Sequence, residues 1–173
     1  MKIKINGTDF KLPAELNAAL QAVLDAAKAA EEESQPEQKS PFARAGHGET
    51  YYYIRCTGGV EYDREYNACD DADCYAVANY CTDSALMEQR ALHETLNRLL
   101  WRYSEEHGGD KQPWDGETPH CYVKRSIRGE ISVGWGGLAK DQGKIYFPDD
   151  ATAVAAIHDV VEPFIREHPD FVW

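Results

Sequence analysis

The chain predicts an α+β fold, an antiparallel sheet carrying two long helices, with an N-terminal hairpin and helix ahead of it. Three observations predict it. Alternating runs are broken by glycine-bearing turns in "KIKINGTDFKL" and "YYYIRCTGGVEYD". Two long stretches, about 83–106 and 150–168, repeat apolar residues at helical spacing. Finally, "NYCTDSAL" at 79–86 echoes "IYFPDDAT" at 145–152, so the body reads as a strand–strand–strand–helix unit present twice.

Taken in order, Asn6-Gly7 is a two-residue hairpin signal. Pro13 suits the first turn of a helix, and Glu15 sits near its positive end. Leu16, Leu20, Val23, Leu24 and Ala27 then recur at helical spacing, which makes 1–33 a hairpin and helix. "EEESQPEQKSPFARAGHG" is polar, with two prolines and two glycines, so 34–48 is expected to be a linker or mobile loop and 49–173 the α+β body.

Within the body, Gly58-Gly59 separates two strands. Tyr75, Val77 and Tyr80 favour a third strand over 74–81, although "DADCYAVANYC" is alanine-rich enough to be helical. Thr82 or Asp83 is positioned to cap the helix running to Glu106, whose face is traced by Ala85, Leu92, Leu96, Leu99 and Tyr103, with Trp101 at its flank. "HGGDKQPWDGETP" breaks the chain, and strands follow near 120–127, near 130–135 and at "KIYF". Val154, Ile157, Val161, Phe164 and Ile165 form the stripe of the last helix.

Composition narrows the function classes. With 18 Lys and Arg against 30 Asp and Glu, the formal net charge is −12, which disfavours direct binding of nucleic-acid phosphates. The same charge serves solubility, or forms an acidic face that attracts a basic partner. No apolar run approaches the ~18–20 residues of a membrane span. "MKIKINGTDF" lacks the apolar core of a secretory signal, and five cysteines make no paired framework, so a reducing cytoplasm is expected.

"CDDADCYAVANYCTDSA" at 69–85 looks most like chemistry. On a strand, Cys74 and Cys81 are an odd number of residues apart and point to opposite faces, so they share neither a metal nor a disulfide. Cys69 and Cys74 form a C-x4-C without a second pair at zinc spacing, and "DDAD" lacks the glycine and glutamate of a calcium loop. The thiols therefore read as packing, and no cofactor is expected, with a zinc- or thiol-dependent use of Cys69 and Cys74 as the alternative.

His158-Asp159 and His93-Glu94 diverge on their helices, and His120 and Cys121 face opposite ways on a strand. His47 and His107 lie in glycine-flanked loops, and His168 suits the negative end of the last helix. "GGLAKDQGK" lacks the phosphate-loop pattern. No enzyme is expected.

The densest acid lies between Glu61 and Asp83, with Arg64 as its one cation. In its simplest form this is a solvated loop. Its functional form is a negative patch with interleaved tyrosines, made by Glu61, Tyr62, Asp63, Glu65, Tyr66, Asp70, Asp71 and Asp73, complementary to a basic groove. A homo-oligomer built on the tyrosines and the C-terminal "FVW" is a further alternative.

"GETYYYIRCTGGVEYD", "YAVANYCTDSAL" leading into a helix, and "GKIYFPDDATAVAAI" resemble a group of small proteins encoded by phages, prophages and other mobile elements. That group shows a Tyr-rich strand with a Gly turn, a "GN-aromatic-aromatic-x-T" strand end, and "G-x-IYF" before a last helix. The likeness covers about 48–168. This chain departs from it with Ala78 at the usual glycine, Cys81 for an aromatic residue, and Asp83-Ser84 where paired glutamates are common. The resemblance implies no defined activity. It implies a bacterial host and a setting in which small acidic proteins bind and disable host machinery, as anti-CRISPR and other anti-defence inhibitors do. The expected partner is then a bacterial protein with a basic nucleic-acid groove, such as a CRISPR nuclease.

Overall fold

The structure, a computed structural model, describes residues 2–5, 8–11, 14–34, 39–137 and 139–173. They divide into two units, Met1–Ser40 and Pro41–Trp173. In the first, β1 (Lys2–Ile5) and β2 (Thr8–Lys11) pair antiparallel, Ile5 opposite Thr8. Helix α1 (Ala14–Ser34) follows, with Leu20, Val23 and Leu24 exposed. The predicted turn at Asn6-Gly7 and the helix start at Pro13 lie outside the described residues, as do the side chains of Leu16 and Ala27.

The second unit is α+β and repeats one arrangement. Strand β3 (Thr50–Ile54) pairs antiparallel with β4 (Val60–Arg64), Tyr52 opposite Tyr62. The connecting turn takes Gly58 to φ +90, which glycine adopts without steric cost. Cys81 then bridges Tyr52, each backbone N–H donating to the other's carbonyl at 2.7 and 3.0 Å. Helix α3 (Ser84–Glu106) starts at once, capped by Asp83, which accepts from the Leu86 N–H. In the second half β5 (His120–Arg125) pairs with β6 (Ile131–Gly136) on one side and β7 (Tyr146–Phe147) on the other. Asp149 caps α4 (Asp150–Ala156) by accepting from the Thr152 N–H at 2.7 Å. In both halves the third extended segment therefore lies beside the first strand, Cys81 on Tyr52 and Phe147 on Cys121, and an aspartate two residues later starts a helix.

Apolar burial follows that plan. Leu96 and Leu100 of α3 meet Cys121 and Phe147 of the second sheet and Ala153, Ala156, Val161 and Phe164 of the last helices. A smaller cluster joins Ile54, Cys81, Met87 and Ala91 beneath the β3–β4 sheet, the first of the body, and a third joins Ala45, Tyr51 and Tyr80 on its other face.

Three expectations change. Residues 69–76 form helix α2 (Cys69–Ala76) where a strand over 74–81 was predicted. The reason is local: Asp71 accepts from the backbone N–H groups of Tyr66 and Ala68, and Asp70 adds negative charge to the first turn. The helix stops where Ala78 turns to φ +56, leaving Tyr80 and Cys81 extended. Next, 41–48 belongs to the body rather than to a linker over 34–48, since Pro41 accepts from Thr82 N–H and Ala45 is buried; residues 35–38 lie outside the described residues. Last, the closing helix is interrupted by a π-helical turn, Ile157–Val161, before α5 (Glu162–Glu167). Ala153 and Ala156 are buried there, while Val154 is 39% exposed.

Candidate protein-binding face

The first sheet has two faces because side chains alternate along a strand. Tyr52, Ile54 and Val60 point toward α3. Tyr51 and Tyr53 point the other way, opposite Asp63 and Glu61, and α2 packs on that outer side through Cys74. Tyr53 Oη donates to Glu61 at 3.2 Å, and Glu61 also pairs with Arg55 at 2.8 Å.

Burial, then the charges of Asp70, Asp71, Asp73 and Asp63, push the Cys74 thiol up. Burial and those four negative charges together suppress the thiolate that nucleophilic or metal chemistry requires. Cys69 and Cys74 are five residues apart on a helix, about 140° around its axis, so they point to different sides. Among the described residues no group of three or more His, Cys, Asp and Glu is placed to hold a metal ion.

The predicted patch is split by the fold. Asp63, Asp70 and Asp73 are exposed on or beside this outer face, with Glu61 next to Tyr53. Among the described residues, none of the three aspartates has an ion-pair partner. Tyr62 is 72% exposed but sits on the opposite face, beside Tyr52. Tyr66 is exposed at the turn after β4, edge-on to His47.

Glu65 and Asp71 leave the expected surface altogether, at 1% and 4% exposure. Arg44 donates to both Glu65 carboxylate oxygens at 3.0 Å, and Tyr80 Oη and the Asn67 N–H complete the set. Arg44, with help from Asn67 and Tyr80, holds the Glu65 carboxyl below its ordinary range against the cost of burial. Asp71 accepts from Tyr66 N–H, Ala68 N–H and Tyr51 Oη, each at 2.9 Å, which lowers it likewise. These two carboxylates tie 44, 51 and 80 together, and Tyr51 stacks on Tyr80 at 4.2 Å.

A second buried polar centre occupies the equivalent place on β5. His120 Nδ1 lies 2.9 Å from both oxygens of Asp110, and its ring stacks on Trp114 at 3.6 Å. Nε2 faces the Pro113 carbonyl at 3.3 Å; a carbonyl only accepts, so Nε2 donates. The His120 side chain is fully enclosed, which makes the pair a clamp on the 107–119 loop and keeps it from solute. Cys121 points away into the core, where burial pushes its thiol up to about 11. Arg44, Asp110 and Trp114 carry these centres from loop segments, where no periodicity marks them. No helix among the described residues is long and apolar enough to cross a membrane. Comparison with protein-family models, with curated proteins and with solved structures found no match to this chain.

Proposed function

We propose that this chain is a phage or mobile-element accessory protein that works by protein–protein binding in the cytoplasm of a bacterial host. Its most concrete form is an acidic inhibitor of a defence effector such as a CRISPR nuclease. The outer face of the first sheet and α2 would enter a basic groove and stand in for a phosphate track. The observation that carries the reading is the set Asp63, Asp70 and Asp73, exposed on or beside one face and, among the described residues, without an ion-pair partner. Asp70 and Asp73 are three apart on one helix, a like-charge pair that lowers helix stability by a few tenths of a kcal/mol. Such a pair returns its cost when a cationic surface covers it. Glu61, beside Arg55 and Tyr53, forms the rim.

The test is a tagged pull-down from lysate of bacteria with active defence systems, using the wild type and a D63K/D70K/D73K variant. The reading expects a nucleic-acid-handling protein held at low salt, released at high salt and missed by the variant. A partner held equally by both, at both salts, removes the acidic face from the interaction. Recovery of the chain alone refutes the inhibitor.

A further inference from the structure

The two halves of the body share a plan but differ in charge. Segment 50–81 holds six carboxylates and two cationic side chains, whereas 120–147 holds five cationic side chains and two carboxylates. Among the described residues each of these two sheets also ends in an unpaired edge, because β4 pairs only with β3 and β6 only with β5. Strand β6 has no charged residue and no proline, the devices by which edge strands avoid new partners, and Trp135 on it is 53% exposed. Lys124 reaches across it: a Cβ added at Gly134 would meet the Lys124 side chain and the Tyr122 ring at 2.9 Å. Among the described residues Lys124 and Arg128 have no ion-pair partner.

We propose that the free edge of β6 pairs with the free edge of β4 in a second copy of this chain, bringing Lys124 of one copy to Glu61 and Asp63 of the other. Charge selects this pairing over the alternatives. Two β4 edges would oppose Glu61 and Asp63 to their own kind, and two β6 edges would bring Lys124, Arg125 and Arg128 together. Only β4 on β6 sets acid against base. The faces agree as well: Glu61 and Asp63 lie on the side of their sheet away from α3, and Lys124 on the side of its sheet away from α4, so the joined sheet keeps α3 of one copy and α4 of the other on one side. The contact uses different surfaces on the two copies and therefore generates chains or a ring. It is independent of the inhibitor reading, although it covers part of the same acidic face.

Sedimentation velocity of the purified full chain at about 20 mM and about 300 mM NaCl tests it, because the Debye length falls roughly fourfold between them. The expected result is a mass that rises with concentration at low salt and returns toward the monomer at high salt. K124E/R128E and E61K/D63K should each weaken association about tenfold, and an equimolar mixture of the two should restore it. A monomer at every concentration in both salts overturns the proposal, as does unchanged association by both variants. A chain that stays monomeric but binds a labelled oligothymidylate through Lys124 also overturns it, assigning the cationic face to nucleic acid. No partner from a lysate enters the measurement, so its failure leaves the inhibitor reading standing.

Discussion

Replacing Glu65 by Gln keeps the side-chain shape and removes the charge. The wild-type carboxylate accepts four hydrogen bonds, two from Arg44, one from Tyr80 and one from Asn67. Whichever way the amide is oriented, its NH2 meets an Arg44 N–H. Tyr80 can rotate to accept, so the lower-cost orientation loses one Arg44 bond and the ionic character of the rest. Breaking a buried ion pair costs about 3–5 kcal/mol. The Arg44 side chain is 36% exposed and can regain water, which places the loss at about 2–3 kcal/mol. In urea, with a slope near 1.5 kcal/mol per molar, the midpoint should fall by roughly 1.3–2 M. The assay is equilibrium unfolding by far-UV circular dichroism at neutral pH, repeated in acid. The folded carboxyl titrates below its ordinary value of 4.5, so its stabilisation is complete above that pH and is lost as pH falls through the lower folded value. The gap between wild type and variant should narrow over that acid window. A midpoint shift under about 0.3 M at neutral pH, or a gap that stays constant into acid, would refute the reasoning.

Asp71→Asn should be mild, about 1–2 kcal/mol, because its oxygen can serve both backbone N–H groups while its NH2 donates to Tyr51. Asp71→Ala should cost about 3 kcal/mol or more in the same unfolding assay, since three donors lose their acceptor. Ala78→Gly should raise stability by about 0.5–1 kcal/mol by relieving a left-handed alanine, read as a higher midpoint in urea. Burial and the Glu65 carboxylate push the Tyr80 hydroxyl up to about 12, against the Ala45 N–H it accepts. Its contribution should therefore hold up to pH 10 and disappear as pH rises toward 12, so alkaline ultraviolet titration should show late-ionising tyrosine released together with unfolding. Thiol labelling of the native chain should reach exposed Cys56 and Cys69 rapidly and Cys74 slowly, with Cys81 and Cys121 reacting only on unfolding. Fast labelling of Cys121 would contradict the core as described.

Local signals carried most of the elements. Gly58 marks its turn, Asp83 and Asp149 cap their helices, and "KIYF" ends in β7, because each depends on residues a few positions apart. The echo between 79–86 and 145–152 was legible for the same reason, and it corresponds to two third segments in equivalent places. The failure at 69–76 was a contest of local signals. Tyr75 and Val77 suit a strand, but the acceptor at Asp71 and the alanines of "ACDDADCYA" favour a helix turn, and cap bonds to Tyr66 and Ala68 decided it.

What the sequence determined by itself was the α+β class, the order of the body's long helices and of its strands other than the one expected over 74–81, and an acidic segment between 61 and 73. Only the tertiary structure decided which of those acids face water. Glu65 lies two residues from Asp63 in the sequence, but its fate is set by Arg44, 21 residues away, and Asp71, whose cap bonds to Tyr66 and Ala68 are local, is also bonded to Tyr51, 20 residues away. Charge is written residue by residue, whereas burial belongs to whatever long-range partner the fold delivers.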